Sequence, residues 1–327
     1  MIEQKPFSEH VLDIDEEKET NRITNSIQKW LIDFKKRGTV VALSGGIDSS
    51  VVAALCVRAV GKNRVLGLLM PEKDSSENTL HLSKLIADDL GIETAHEDIT
   101  EILEAVGCYR RRDDAIREVI PEFDDNYLCK IVLPSVLDSE SYRIFSVVAL
   151  SPQGKEIKAR LTPAAYLGIV AASNFKQRTR KMLEYYHADR LNYAVAGTPN
   201  RLEYDQGFFV KNGDGSADMK PIAHLYKTQV FQLADYLEIP LEIRERPPTT
   251  DTYSMPQSQE EFYFSLPYDK MDLCLYARNN NVSSEELAPV VNLSAPQVER
   301  VFADIDQKRN TTKYLHLKPQ LVEQVFP

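Results

Sequence analysis

The run Val40-Val41-Ala42-Leu43-Ser44-Gly45-Gly46-Ile47-Asp48-Ser49-Ser50 constrains this chain more than any other stretch. Its apolar start, from Thr39 to Leu43, shows no polar alternation and predicts a strand buried on both faces, as in a parallel sheet. Two glycines follow, and a helix is predicted from about Asp48 to Val60, stopped by Gly61. A strand that turns through glycines straight into a helix gathers free amides and the positive end of the helix dipole at one point. That point favours an anion. Ser44, Ser49 and Ser50 add hydroxyl donors. The dipole contributes only about 0.3–1 kcal/mol at an exposed site, so a triphosphate would also need a metal and basic side chains. Asp48 is a poor neighbour for bare phosphate and points to Mg²⁺ between carboxylate and phosphate. Taken alone, the same string could be a glycine turn with Asp48 capping its helix.

The flanking pattern agrees with an α/β chain. Residues 1–19 read as a mobile or loosely docked arm. Ile23, Ile27, Trp30, Leu31 and Phe34 then mark one face of a helix that Gly38 would end. Val65 to Leu69 reads as a second strand, and Leu82, Leu85, Ile86 and Leu90 mark a third helix closed by Gly91. Strand–helix–strand–helix order calls for a doubly wound, mostly parallel, Rossmann-like sheet. From about Cys108 to Leu161 the pattern changes. Arg110, Arg111 and Arg112 cluster there, and Tyr142–Leu150 and Lys155–Leu161 flank a Ser151-Pro152-Gln153-Gly154 turn, which predicts an inserted β-hairpin. A helix from Pro163 to Ala188 and a strand from Tyr193 to Gly197 follow, and the remainder is helical.

Composition narrows the function. Of 327 residues, 39 are Lys or Arg and 49 are Asp or Glu, a net charge of −10, which argues against a general nucleic-acid binder. No apolar run is long enough for a membrane span, and the polar start lacks a signal-peptide core. Cys56, Cys108, Cys129 and Cys274 form no CxxC pair, so they read as buried free thiols in a reducing cytoplasm. The six His residues show no catalytic pattern.

Ser44-Gly45-Gly46-Ile47-Asp48-Ser49-Ser50 is neither a Walker A loop nor a GxGxxG turn. It resembles the pyrophosphate loop of the N-type ATP pyrophosphatases, which split ATP between its α- and β-phosphates to adenylate a substrate. Further strings narrow the resemblance: Asn174 to Met182, Gly197-Thr198-Pro199-Asn200-Arg201-Leu202-Glu203, Gly207 to Pro221, and Leu225-Tyr226-Lys227-Thr228-Gln229. Together they resemble ammonia-dependent NAD synthetase over nearly the whole chain, as one domain from about residue 20 to 327 with the insertion at about 108–161.

The resemblance implies ATP contacts from Ala42, Leu43, Ser44, Gly45, Gly46, Ile47, Asp48, Ser49, Thr198, Lys227 and Thr249, with Thr250 an equal choice for the last. It implies Mg²⁺ ligands at Asp48 and Glu203. Arg178, Lys211, Asp218, Gln307 and Lys308 would hold deamido-NAD, with Asp48, Lys211 and Asp218 closest to the chemistry. The family usually has His-Lys where this chain has Gln307-Lys308, so one contact to an anionic group becomes neutral. Arg178 and Arg180 point to roughly opposite faces of their helix, and Arg178 is taken as the substrate contact. Asp214 could be a turn former only, and Glu203 could be a surface carboxylate. The family also implies a homodimer with the dinucleotide across the subunit interface. Only 38 residues precede Thr39, too few for a glutamine amidohydrolase domain, so ammonia would come from solution or from a separate protein. Two alternatives remain at this stage: a related enzyme that amidates or thiolates another substrate, and a non-catalytic nucleotide-binding relative.

Overall fold

The computed structural model describes residues 7–134, 144–247, 252–258, 260–264 and 266–325. The chain opens with α1 (Glu16–Asp33), β1 (Thr39–Ala42), α2 (Ile47–Val60), β2 (Val65–Leu69), α3 (Glu77–Leu90), β3 (Glu93–His96), α4 (Thr100–Ala105) and α5 (Cys108–Arg117). Next come β4 (Leu128–Val132), β5 (Ser146–Leu150), β6 (Glu156–Arg160), the long α6 (Pro163–Leu191), β7 (Ala194–Ala196) and α7 (Arg201–Gln206). It closes with α8 (Lys227–Tyr236), α9 (Leu241–Arg244), α10 (Tyr268–Asn279), α11 (Ser284–Val291) and α12 (Ala295–Thr312).

The main sheet is parallel, in the order β3-β2-β1-β7. Its strands alternate between two cores. Val41, Val65 and Leu69 pack with α1, α2, α3 and α8, while Val40, Leu66 and Leu68 pack with Ile99, Leu103 and Ala188 on the other side. Both faces are covered, which is why these strands read as continuous apolar runs. The chain leaves β1 towards β2 on one side and returns to β7 on the other. The crevice beyond the carboxyl ends of β1 and β7 is therefore the topological switch point, where ligands of open α/β sheets bind. A separate apolar core joins α10, α11 and α12 to Leu12.

Three expectations need correction. The segment at 7–15 is docked: Leu12 is buried, its carbonyl accepts from the side-chain amides of Gln229 and Gln232, and α1 already begins at Glu16, capped by Asp15. Gly38 does not end α1. The helix stops at Asp33, with exposed Phe34 as its C-cap, and Lys35 takes the left-handed conformation (φ +56°) that breaks it. Gly38 serves packing instead, since a Cβ there would lie 2.3 Å from the Arg64 carbonyl oxygen and 2.7 Å from the Tyr193 ring.

The third correction concerns the inserted hairpin. Its two strands are β5 and β6, joined by the expected turn, in which Gly154 N–H donates to the Ser151 carbonyl at 2.9 Å; Tyr142 and Arg143 lie outside the described residues. A third strand, β4, pairs antiparallel with β5. One face of this small sheet buries Ile131, Val147 and Ala149 against Ile116, Ala165 and Ile169 of α5 and α6. The sheet thus packs on its own subunit, which supplies the support that two strands alone lack. Arg112 is not a free cation there. It is buried against Asp74 (2.6 Å) and Asp113 (2.8 Å).

Gly38→Ala should cost about 1–3 kcal/mol by overpacking, read as a lower urea midpoint at unchanged slope. A loss below about 0.5 kcal/mol, the range of a neutral surface change, would contradict the close approach of β1, β7 and Arg64.

Candidate active site at the sheet switch point

A cavity of about 430 Å³ opens at the crevice, within the range of about 300–1,000 Å³ usual for ligand sites. Its floor is the turn after β1: Ala42, Leu43, Ser44, Gly46, Ile47, Asp48 and Ser49 all line it. Ser44 N–H points to the Ser49 hydroxyl at 3.3 Å, and that hydroxyl donates to the Gly46 carbonyl at 2.9 Å, so the turn is wound tightly onto the start of α2. Ser50 is fully buried and donates to the same carbonyl, so it shapes the turn rather than facing a ligand. Gly45 also faces inward. It adopts φ +66°, and a Cβ on it would meet Leu82 Cβ and the Thr79 carbonyl oxygen at 2.8 Å. Gly45 lets the turn sit against α3, and Gly46, at the N-cap of α2, presents the backbone to the cavity.

Asp48 lies in the first turn of α2 and points across the crevice. One carboxylate oxygen accepts from the Lys227 ammonium and the other from the Asn200 side-chain amide at 3.1 Å. Asn200 and Glu203 form a capping box on α7: the Asn200 side chain accepts Glu203 N–H at 3.1 Å, and Glu203 accepts Asn200 N–H at 3.2 Å. The Asn-x-x-Glu pattern that caps α7 therefore also aims Glu203 at the site. Burial pushes the Glu203 carboxyl up to about 8, and the Asp48 charge adds to the rise, while Lys227 opposes it. Lys227 is 1% exposed. Burial lowers its pKa, but Asp48 and Glu203 more than offset this and hold it above the ordinary lysine value. Behind it, buried Asp272 accepts Thr228 N–H at 2.7 Å at the start of α8.

These two carboxylates fit a divalent cation. Burial and the Asp48 charge raise the Glu203 carboxyl above the usual carboxylate range, and a dication held by both groups would offset these two effects. Among the described residues no group of three His, Cys, Asp or Glu gathers as a metal cage. The remaining ligands would be phosphate oxygens and water, as Mg²⁺ prefers.

The other sequence-predicted residues divide into two sets. Thr198 and Lys227 line the cavity with the turn. Thr249 and Thr250 lie outside the described residues. Arg178 is exposed on the outer side of α6, and its Nε donates to the Lys211 carbonyl at 3.3 Å. Lys211 in turn donates to the Tyr314 carbonyl at 2.8 Å. Asp218 is exposed and accepts from Val195 N–H at 2.7 Å and Tyr185 OH at 3.3 Å. Gln307 is exposed on α12, and Lys308 is buried, donating to the Tyr263 carbonyl at 2.7 Å. None of these five is among the described residues lining the cavity.

Sequence reasoning passed over several that are. Arg180 faces the cavity and donates to the Met70 carbonyl at 3.3 Å, so the helical phase of α6 turns Arg180 inward and Arg178 outward. Asp214 lines the cavity, and its side chain accepts Val210 N–H at 2.7 Å. Arg246 also lines it and donates to the Thr79 hydroxyl at 3.1 Å. Asn200, which donates to Asp48, was also passed over, although the capping-box spacing Asn200-x-x-Glu203 was a usable sequence signal for it.

The NAD synthase family model matches residues 19–121 and 139–314. The chain belongs to the NAD synthase family. It is 59% identical over 319 residues to a Rhizobium meliloti (strain 1021) protein named NH(3)-dependent NAD(+) synthetase, covering 98% of this chain and 96% of that one. The solved structure of an NH3-dependent NAD synthetase from Campylobacter jejuni matches with a TM-score of 0.62 at 24% identity, covering 95% of this chain and all of that one. An NMN synthetase from Francisella tularensis matches with a TM-score of 0.64 at 23% identity, covering 94% and 100%. At such identity the two structures show the shared fold. In this NAD synthase the inserted region belongs partly to the family pattern, because the match resumes at residue 139.

Gly45→Ala should destabilise the fold by about 1–3 kcal/mol, the usual cost of a strained backbone conformation, measured by thermal or urea unfolding. Gly46→Ala, at an ordinary φ of −92° with only the Ser44 hydroxyl at 3.3 Å, should unfold close to wild type. Equal losses at both positions would contradict the inward role of Gly45.

Proposed function

We propose that this enzyme makes NAD from deamido-NAD and ammonia, splitting ATP into AMP and pyrophosphate through an adenylated intermediate. The observation that carries this reading is buried Lys227 with half-buried Asp48 and Glu203 beside the Ser44–Ser49 turn, in a chain of the NAD synthase family. The turn amides and the start of α2 would bind the phosphates of ATP, with Thr198 and Lys227 on the opposite wall, and Thr249 is a further proposed contact. Asp48 and Glu203 would hold Mg²⁺, which supplies positive charge against the triphosphate.

The chemistry follows from the poor electrophilicity of a carboxylate, whose leaving group would be oxide. A carboxylate oxygen of the nicotinate attacks the α-phosphorus, the C–O–P bond forms, and the bond to the β-phosphate oxygen breaks. Lys227 faces the charge that gathers on departing pyrophosphate, in a site where water is largely excluded. Ammonia then attacks the activated carbonyl carbon, the bond to AMP breaks, and the nitrogen loses its extra proton. Neutral ammonia is a competent nucleophile, so positioning and exclusion of water are the main tasks of the protein.

Deamido-NAD would be held by Arg178, Lys211, Asp218, Gln307 and Lys308. The exposed position of Arg178, with half-buried Lys211 beside it, suits a homodimer that completes the substrate site. Leu167, Met182 and Tyr186 of α6 are 63%, 56% and 59% exposed, and with Arg178 they share one stripe of the helix, about 100° wide. An apolar stripe beside a basic substrate contact supports a two-fold pairing of α6 helices. Ammonia would come from solution or a separate protein. Four free, buried cysteines support a reducing, cytoplasmic location, and no described helix is long and apolar enough to cross a membrane.

Pyrophosphate release with ATP, Mg²⁺ and ammonium should require deamido-NAD and be much slower with nicotinate mononucleotide. A preference for the mononucleotide would overturn the substrate assignment. Asp48→Asn and Glu203→Gln should each keep the fold and lose about 10²–10³ in kcat, and near-normal rates in both would remove them from the metal site. The wild-type enzyme should scatter light as twice its chain mass. Leu167→Asp with Met182→Asp should yield a monomer with a raised KM for deamido-NAD and a KM for ATP closer to wild type. A wild-type monomer that is fully active would contradict the shared site.

A further inference from the structure

The third strand of the inserted sheet, β4, has β5 on one edge. Its other edge is taken up by the segment at 252–258. Cys129 N–H donates to the Ser254 hydroxyl at 2.9 Å, and Met255 N–H donates to the Cys129 carbonyl at 3.1 Å. The Gln257 side-chain amide donates to the Ile131 carbonyl at 2.5 Å, and Gln257 is 2% exposed. An exposed strand edge is otherwise a row of unpaired donors and acceptors. Here alternate residues of β4 use theirs to hold one particular loop.

The start of that loop forms part of the cavity wall. Thr252 and Tyr253 line it, and so do Phe145, just before β5, and Tyr166 of α6, whose rings stack with centroids 4.4 Å apart. Tyr253 is buried in the same core as Ile131 and Val147 of the inserted sheet. The start of the segment has a second fastening. The Thr252 carbonyl accepts from the Lys176 ammonium at 3.0 Å, and Lys176, itself 2% exposed, is fixed by Glu72 at 2.8 Å and Asp74 at 2.7 Å. Glu72 and Asp74 follow β2, in the connection whose Met70, Pro71 and Ser75 line the cavity. The wall is thus tied to β4 on one side and to the β2–α3 connection on the other.

We propose that the inserted β4–β5–β6 sheet is a brace that holds the 252–257 wall of the cavity in its ligand-ready position, with Ser254 and Gln257 as positioning residues. A wall already ordered before ligand arrives removes part of the ordering cost of binding. Loosening it should therefore appear in KM more than in kcat. This deepens the NAD synthetase reading and rests on it for the choice of substrate.

The test compares wild type with Ser254→Ala/Gln257→Ala and with Ser254→Thr. The double variant should exchange amide hydrogens faster across 252–258 and at the wild-type rate in β5 and β6, and it should remain a dimer. Its kcat/KM for deamido-NAD should fall about tenfold, mostly through KM, since two hydrogen bonds to the wall are lost. Ser254→Thr, which keeps the hydroxyl, should exchange and turn over as wild type does. Faster exchange with kcat/KM within about twofold of wild type, or unchanged exchange, would overturn the brace. If the double variant melts early, Ser254→Ala alone carries the same comparison with a smaller effect. Wild type that fails to turn over deamido-NAD would sink the functional reading instead. In that event protection of 252–258 by ATP and Mg²⁺ decides: lost in the double variant it supports the brace, retained it contradicts it.

Discussion

Lys227 carries a full positive charge at a place almost closed to water, at the first turn of a helix whose dipole opposes it. It can be there because Asp48 pairs with it directly and Glu203 lies close by. The three groups come from α8, α2 and α7, and they meet beyond the carboxyl ends of β1 and β7. Removing one partner would leave a buried charge uncompensated, at a cost of about 3–5 kcal/mol. The arrangement therefore fixes where three helices start relative to the sheet, and it fixes the phosphate turn with them. On the proposed function it would also leave the site poised, with the carboxylates set for a dication and the ammonium for phosphates before either arrives.

The second half of the cavity is built on another principle. Its walls at Phe145, Tyr166, Thr252 and Tyr253 come from segments far apart in sequence, joined by a small apolar core under the inserted sheet. The buried ion cluster of Glu72, Asp74, Arg112, Asp113 and Lys176 joins this half to the β2–α3 connection. The half at the β1 turn depends on backbone amides and charge, and the far half on packing and strand-edge hydrogen bonds. A single chain region, α6, lines both, from Tyr166 at one end to Glu184 at the other.

The parts that were legible in the sequence are those with local causes. The β1 turn and α2 are written in a contiguous run of apolar residues, glycines and serines, and the ends of α2 and α3 in Gly61 and Gly91. What was not legible depends on distant neighbours. Gly38 looked like a helix stop because the carbonyl of Arg64 and the ring of Tyr193, which actually exclude a side chain there, are remote in sequence. Strand β4 was missed because Leu128–Val132 follows an acidic stretch and its described pairing is with β5 and the 252–258 segment, both remote in sequence. Arg178 and Arg180 could be separated onto two faces by helical period, but the period alone does not say which face meets the cavity. The family strings named Asp48, Glu203 and Lys227, whereas the buried contact that makes them one unit, with Asn200 bridging to Asp48, needed coordinates.

In the proposed reaction the substrate carboxylate is adenylated and ammonia then displaces AMP from it within one site. Deamido-NAD labelled with ¹⁸O in both oxygens of its carboxylate tests it most directly. The enzyme, supplied with unlabelled ATP, Mg²⁺ and ammonium, should release AMP carrying one ¹⁸O in its phosphate, pyrophosphate carrying none, and NAD retaining one in its amide. Label appearing in pyrophosphate or orthophosphate, or AMP free of label while NAD accumulates, would contradict the account.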